Sequence, residues 1–302
     1  PLYSSAASDV YKRQIYYSTL EIKWSFFESQ ILNTLVIFSS FLLTSYSIDT
    51  VTRQITIERS GRNALHLILY PLVILSYPLE SVDLRFIISS ALIFSAWRIF
   101  RIFIQTSRYD RRIKQLLDTS LLLSLSVLLI LENIVLFIFL AAVSSLTNIK
   151  KEIRYFVLII TMPLIFIPAA YIFLETFSLG SFTFSSFLIG DDFSLLSKPV
   201  FSIAQAPFAV LFFYYLIAVI AKTSRSSGLN TNILDMAGVL FLLVTAIIIS
   251  LLEDSSGSEY HYFSLVLVYF IAQFFSKKIN SSIVNFIFIS IIASIIIFNL
   301  LL

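Results

Sequence analysis

Residues 119–146 read TSLLLSLSVLLILENIVLFIFLAAVSSL, an apolar stretch of 28 residues with Glu132 and Asn133 at its centre. An α-helix needs roughly 20 apolar residues, at a rise of about 1.5 Å each, to cross a bilayer core of about 30 Å. The stretch is therefore rather long for one crossing. Each half has about 13 residues and a length of roughly 20 Å, which is too short for a complete crossing.

The charges on either side of this stretch decide between one helix and two. Cytoplasmic loops of membrane proteins collect Lys and Arg. Residues 98–118 contain Arg98, Arg101, Arg108, Arg111, Arg112 and Lys114, and residues 148–154 contain Lys150, Lys151 and Arg154. Both segments are therefore predicted to be cytoplasmic and to determine the topology, and an even number of crossings must separate them.

A short helical hairpin that turns at Glu132 and Asn133 meets this requirement, and the charge bias favours it. The alternative is one long tilted helix with Glu132 buried at its middle. That helix would place residues 148–154 outside and would invert every later loop.

The composition of the whole chain is that of a membrane protein. Of its 302 residues 58% are hydrophobic and only 13% are charged, and the mean hydropathy is +0.91. Soluble domains carry roughly 25% charged residues, so this chain cannot cover a water-facing surface of ordinary polarity. The excess apolar residues fall into long runs, as in polytopic membrane proteins.

With the hairpin counted as two, the apolar runs predict about ten membrane segments in an all-α, polytopic transmembrane helical bundle. The runs are 31–46, 64–78, 86–104, 119–146, 155–174, 206–221, 233–252, 262–276 and 283–302. Basic and acidic loops alternate between them, and the acidic loops 175–205 and 253–260 are predicted to lie outside. We expect a single integral-membrane domain over residues 15–302.

The first residues are treated separately. The chain opens PLYSSAASDVYKRQ, and residues 4–14 resemble a translated sequencing adapter. We expect residues 1–14 to be a non-native tail and the true N-terminus, with or without a further span, to be missing. The alternative is a genuine polar N-terminal tail.

The residue counts exclude several kinds of chemistry. The chain has no Cys, two His and six scattered Gly. It therefore has no thiol nucleophile, no iron–sulfur or Cys zinc site, and no glycine-rich phosphate loop. We predict no cofactor and no bound metal. Arg98 and Arg101 are expected to extend to the cytoplasmic interface, and His66 and His261 to be interfacial surface residues.

The most informative polar segment is the outer loop 175–205, in which phenylalanines interleave with serines around Asp191 and Asp192. Such a loop should lie at the membrane interface. A carboxylate pair held there could bind a divalent cation or act as a general base on a lipid-linked substrate. In this it is similar to polyprenyl-phosphate-dependent glycosyltransferases. The competing interpretation, which the residue pattern favours, is a helix-capping pair beside a solvated turn.

A wider resemblance covers residues 40–175. The segments that carry this resemblance are PLVILSYP at 71–78, RFIISSALIFSAWRIFRIFIQ at 85–105 and QLLDTSLLLSLSVLLILENIVLFIFLAAV at 115–143. Together they resemble an uncharacterised family of polytopic inner-membrane proteins of Gram-negative bacteria, known as a domain of unknown function. The resemblance implies a multi-pass protein of the bacterial inner membrane, and it supplies no catalytic residue.

Three classes of function are compatible with these features. The lack of motifs favours a structural or accessory subunit of an envelope process. The outer loop alone favours an enzyme acting on a lipid-linked, polyprenyl-type substrate. A small-solute permease is disfavoured, since neither internal repeats nor buried charges are evident. The expected partners are the lipid bilayer and either other membrane proteins or a lipid-linked substrate, with no nucleic acid.

The hairpin makes a prediction about sidedness. Fusions of GFP or alkaline phosphatase at Lys114 and at Lys150 should both report the cytoplasm, because both segments are strongly basic. Opposite sides for the two fusions would require a single crossing over residues 119–146 and would rule the hairpin out.

Overall fold

The computed structural model describes residues 22–24, 29–56, 65–75, 82–106, 108–146, 153–176, 229–251, 258–276 and 289–294, and residues 210, 213, 217 and 286. Within this part of the chain the named helices are α1 (Gln30–Thr56), α2 (Leu65–Leu75), α3 (Leu84–Gln105), α4 (Tyr109–Leu129), α5 (Val135–Leu146), α6 (Ile153–Thr176), α7 (Leu229–Leu251) and α8 (His261–Ser276). Two 3-10 turns, Leu131–Ile134 and Ser258–Tyr260, precede α5 and α8. Two short parallel strands, β1 (Ile22–Trp24) and β2 (Val82–Asp83), pair beside the start of α3.

Three helices contain stretches that are long and apolar enough to cross a membrane. These stretches are Gln30–Val51 in α1, Leu84–Gln105 in α3 and Arg154–Phe173 in α6. Shorter apolar helical stretches cover Leu131–Ser145 and Ala237–Ile249. The structure is thus helical with three candidate spans. The predicted total of about ten goes beyond these three, and the predicted runs 206–221 and 283–302 lie largely outside the described residues.

Helix boundaries follow the apolar runs closely, with one instructive difference. Helix α3 encloses the predicted run 86–104, and α6 encloses 155–174. Helix α1 instead continues to Thr56, well past the predicted end at 46. Asp49 and Arg53 end an apolar run, but a charged side chain does not by itself end a helix.

Helix α3 is the central helix of the bundle. Of its most apolar window 67% is buried, against 33% for α1 and 11% for α6. Tyr262 bonds to Ser89 near the starts of α8 and α3, and Tyr269 contacts Arg101 further along both helices, so α8 runs parallel to α3. Arg101 also donates to the Val51 carbonyl, which places the last turns of α1 and α3 side by side.

The chain reverses direction between α4 and α5. Helix α4 follows α3 after residues 106–108 and packs along it, so the two are antiparallel. Asn133, before α5, contacts Ser89 near the start of α3, and Phe139 in α5 contacts Trp97 further along α3. Helix α5 therefore runs parallel to α3 and opposite to α4.

Helix α6 begins at the same end as α4. The Arg154 Nη1 group donates to the Tyr109 hydroxyl at 3.3 Å, and the Tyr155 ring lies 5.5 Å from that of Phe103. We call this the basic end, because the described cations of this half are Arg98, Arg101, Arg108, Arg111, Arg112, Lys114 and Arg154. The opposite, acidic end carries Asp83, Glu132 and Glu259, with Arg85 paired to Asp83.

Aromatic packing fills the middle of the bundle. The Trp97 ring lies 5.5 Å from Phe139 and 5.3 Å from Phe241, and these two phenylalanines are 5.5 Å apart, which joins α3, α5 and α7. These separations are those of favourable aromatic pairs. The cavity beside them measures about 10 Å³, which is room for about one water, and its almost wholly apolar lining gives a water too few polar partners.

Hydroxyl side chains inside the bundle bond mostly to their own helices. These interior hydroxyls donate to the carbonyl three or four residues earlier, and they are Thr44, Ser90, Ser95, Ser124, Ser126 and Ser264. Such bonds satisfy a hydroxyl without a second helix. Ser47 and Ser95 also meet across α1 and α3 at 3.3 Å.

The outward surface of the bundle is apolar. On α6, Leu164 is 67% exposed and Ile165 is 69% exposed, and α1 exposes Ile31 and Leu35 in the same way. A continuous apolar surface of this kind is a liability in water and is the ordinary surface of a helix in lipid. The exposure of large apolar side chains on α1 and α6 therefore agrees with their being candidate spans.

The aromatic core should control stability. Phe139→Ala removes a buried ring from three aromatic neighbours and should lower the free energy of unfolding by about 3–5 kcal/mol. The matched control is Ile165→Ala on the exposed face of α6, which should change it by less than about 1 kcal/mol. Thermal unfolding in detergent micelles measures both, and equal effects would contradict the assigned core.

Candidate functional site

The residues that the sequence singled out are only partly described. Asp191 and Asp192, the candidate catalytic pair, and the cations Lys150 and Lys151 lie outside the described residues. Glu132 and Asn133 are described and lie in the 3-10 turn Leu131–Ile134. Arg154 lies in the first turn of α6.

The turn begins where α4 ends. Ile130 adopts an extended conformation, with φ −143° and ψ 108°, and its N–H donates to the Ser126 carbonyl at 3.0 Å. The Asn133 N–H then donates to the Ile130 carbonyl at 3.1 Å and closes the turn. Glu132 is half-buried at the turn, whereas Asn133 is fully buried.

The Asn133 side chain joins three parts of the bundle. Its Nδ2 group donates to Ser89 Oγ on α3 at 2.8 Å, to the Tyr262 hydroxyl on α8 at 3.1 Å and to the Ser126 carbonyl at the end of α4 at 3.1 Å. Tyr262 in turn donates to Ser89 Oγ at 2.8 Å. We call Ser89, Ser126, Asn133 and Tyr262 the Asn133 cluster. Because the Ser126 backbone carbonyl can only accept a hydrogen bond, the Asn133 side-chain atom that faces it must be the amide nitrogen and not the oxygen.

One atom of the cluster is not satisfied. The Oδ1 atom of Asn133 is buried and has no hydrogen-bond partner within the described part of the chain. Leaving a buried acceptor unbonded costs roughly 1–3 kcal/mol. The side-chain hydrogen bonds that hold Asn133 are therefore all made by its Nδ2 group.

A second set of polar contacts lies beside the cluster. The Asp83 carboxylate caps the start of α3 by accepting from the Arg85 N–H at 2.9 Å, and it pairs with the Arg85 guanidinium at 2.7 Å. The Asp83 N–H donates to Ser258 Oγ at 3.1 Å. The first turn of α3 is thereby joined to the 3-10 turn that leads into α8.

This 3-10 turn is buried, unlike the loop expected from the sequence. Glu259 and Tyr260 are buried, and burial, followed by the Glu259 carboxylate, raises the pKa of Tyr260 from 10.0 to about 12. The Tyr260 hydroxyl therefore remains a donor at all physiological pH values. His261 is also buried, against the Phe41 ring at 5.7 Å, so the expectation of a surface histidine was wrong.

The two arginines of α3 differ from each other. Arg98 is partly exposed and lies over the Tyr46 ring at 4.8 Å. Arg101 is only 4% exposed, donates to the Val51 carbonyl at 2.7 Å and lies over the Tyr269 ring at 5.6 Å. The expectation that Arg101 extends to the interface was therefore wrong, because the end of α1 and the Tyr269 ring hold its guanidinium inside the bundle.

The Asn133 cluster is suited to holding helices together. It contains an amide and three oxygen acceptors but no carboxylate, imidazole or amine that could act as a base. In the part of the chain that the structure describes, no group of three or more His, Asp or Glu could hold a metal ion. Sequence reasoning located Asn133, but Ser89 and Tyr262 carry no signal that would have paired them with it.

Substitutions at Asn133 should test this role. Asn133→Ala removes three donor contacts and should lower the free energy of unfolding in detergent by about 1–2 kcal/mol. Asn133→Asp, measured at pH 8, should lower it further, because a carboxylate oxygen would face the Ser126 carbonyl. The control is Ser145→Ala on an exposed site of α5, with no measurable effect expected. A smaller loss for Asp than for Ala would show that the amide donor is not what matters.

Comparison with known proteins gives no relative. No family model matches the chain, and no curated protein and no solved structure matches it at a significant level. The resemblance of residues 40–175 to an uncharacterised inner-membrane family rests on the sequence pattern alone. Function must therefore be inferred from the geometry of the chain itself.

Proposed function

We propose that the chain is a multi-pass integral protein of the bacterial inner membrane and serves as a structural or accessory subunit of an envelope process. The observation that carries the proposal is the distribution of side chains, with polar groups inside the bundle and large apolar groups on its surface, the reverse of a soluble protein. Hydroxyls, the Asn133 amide and Arg101 lie inside, whereas large apolar side chains on α1 and α6 lie outside. That distribution suits a protein whose solvent is lipid.

Charge distribution supports a defined orientation. The described cations of the basic end would face the cytoplasm, and the acidic end would face outside. Because α4 and α6 begin together at the basic end, the loops before them would lie on one side of the membrane. This arrangement supports the hairpin, and the proposed total of about ten segments includes runs that lie outside the described residues.

The packed interior favours an accessory role over transport. Trp97, Phe139 and Phe241 close the middle of the described bundle, and the cavity beside them measures only about 10 Å³. Ligand sites for small molecules are typically several hundred Å³. The cavity beside Trp97 is therefore too small for a solute, and this favours a role of contact with other membrane components.

A second candidate is an enzyme that acts on a lipid-linked substrate at the outer interface. One observation favours it. Helix α6 begins at the basic end and spans 24 residues, so Thr176 lies towards the acidic end, from which the chain continues to Asp191 and Asp192. A bound divalent cation would offset the repulsion between these two carboxylates.

Two measurements separate the two candidates. Carbonate-washed membranes should retain the tagged chain, and cross-linking in native membranes should capture a reproducible set of membrane proteins. Asp191→Asn with Asp192→Asn, at matched protein levels, should leave growth and envelope integrity normal if the role is accessory. Loss of function in this double variant with an unchanged cross-linked set would favour the enzyme instead, and release by carbonate would contradict integral insertion.

A further inference from the structure

We propose that the basic end carries a site for an anionic phospholipid, between the start of α4 and the start of α6. The inference rests on the proposed membrane orientation and adds a ligand to it. The site is the Tyr109 face, which we define as Arg108, Tyr109, Arg112 and Arg154. The phosphate would lie among the three guanidinium groups, and one acyl chain would follow the outer surface of α6.

One of the three cations contacts the Tyr109 hydroxyl, and the other two lie next to Tyr109 at the start of α4. Arg154 on α6 donates to this hydroxyl at 3.3 Å, and the Tyr109 and Tyr155 rings lie 6.2 Å apart, so the two helix starts are in contact. Arg108 and Arg112 are four residues apart on one side of α4, about 100° and 60° around the helix from Tyr109. Two helices thus contribute to one cationic surface.

Asp110, the acidic residue in the first turn of α4, lies away from the side of α4 that carries Arg108 and Arg112. Asp110 lies about 160–200° around the helix from Arg108 and from Arg112, at about 100° per residue. The Arg108 side chain is exposed and makes no hydrogen bond or ion pair to any described residue, and the Arg112 Nε donates to the Thr106 carbonyl. Like charges four residues apart repel, and an anion bound between them relieves that repulsion.

An apolar track begins directly beside the cations. Val157, Ile160 and Leu164 follow Arg154 on the outer side of α6 and are 49%, 57% and 67% exposed. The rise from residue 154 to residue 164 is about 15 Å, which equals half of a bilayer core of about 30 Å. One leaflet's acyl chain therefore fits this track when its headgroup lies at Arg154. The track is the reason to assign a lipid and not a free phosphate.

The direct test uses the full chain in detergent with phosphatidylglycerol as the anionic probe and phosphatidylcholine as the neutral one, and measures bound lipid by native mass spectrometry. Wild type should bind phosphatidylglycerol preferentially. Arg108→Gln with Arg154→Gln should weaken that binding about thirtyfold, since each cation near a lipid surface contributes roughly a fivefold factor.

The matched control is Arg111→Gln with Lys114→Gln, which removes two charges that lie about 140–160° around α4 from Tyr109. It should change binding less than about threefold. Equal weakening in both double variants would show a diffuse surface charge and overturn the site. If the first variant does not fold, the single variant Arg108→Gln removes one exposed charge and should weaken binding about fivefold, and wild-type binding in it would also overturn the site.

Two further experiments test whether the bound phosphate belongs to a lipid, and whether the chain is an integral membrane protein at all. Dihexanoyl phosphatidylglycerol should bind more weakly than the dioleoyl lipid, and inorganic phosphate should compete poorly. Equal binding by all three probes would overturn the acyl track. Carbonate release of the wild-type chain would refute the membrane proposal itself, whereas an integral chain without lipid preference would refute only this site.

Discussion

A single buried amide holds the point on which the topology of the bundle depends. The Asn133 Nδ2 group binds the end of α4, the start of α3 and the start of α8, at the place where the chain reverses. A break in a helix inside lipid leaves backbone carbonyls that water cannot reach. At this break Asn133 gives the Ser126 carbonyl a second donor beside the Ile130 N–H. It also joins the turn to two other helices, and the direction of each later helix follows from that reversal.

The same constraint explains why the polar groups of this chain are distributed as they are. At the acidic end, the Asp83 side chain caps α3 and the Asp83 N–H donates to Ser258 Oγ, so the segments that precede α3 and α8 satisfy polar groups of each other and of α3. At the basic end, Arg101 donates to the Val51 carbonyl, within the last two turns of α1. Each end thus satisfies backbone groups with charged or polar side chains, while the apolar middle is closed by aromatic packing around Trp97.

Much of the helical framework could be predicted from apolar runs, since hydropathy follows directly from the need to face lipid. The polar pair Glu132–Asn133 also identified the turn between α4 and α5, because two polar residues within 28 apolar ones are conspicuous. The burial of Arg101 and His261 could not be predicted, as it depends on Tyr269 and Phe41 from distant parts of the chain. Hydropathy is a property of each residue type taken alone, whereas the burial of a charged side chain depends on the side chains that surround it in the folded chain.

The hydroxyl groups that bond within their own helices bear on how the protein is assembled. Thr44, Ser95 and Ser124 have their partners three or four residues away, so each enters lipid already satisfied. Individual helices can consequently leave the translocon one at a time without waiting for a neighbour. Asn133 is different, because its main partners belong to α3 and to α8, which is synthesised more than a hundred residues later. The bundle would therefore acquire its final packing only after α8 has been inserted.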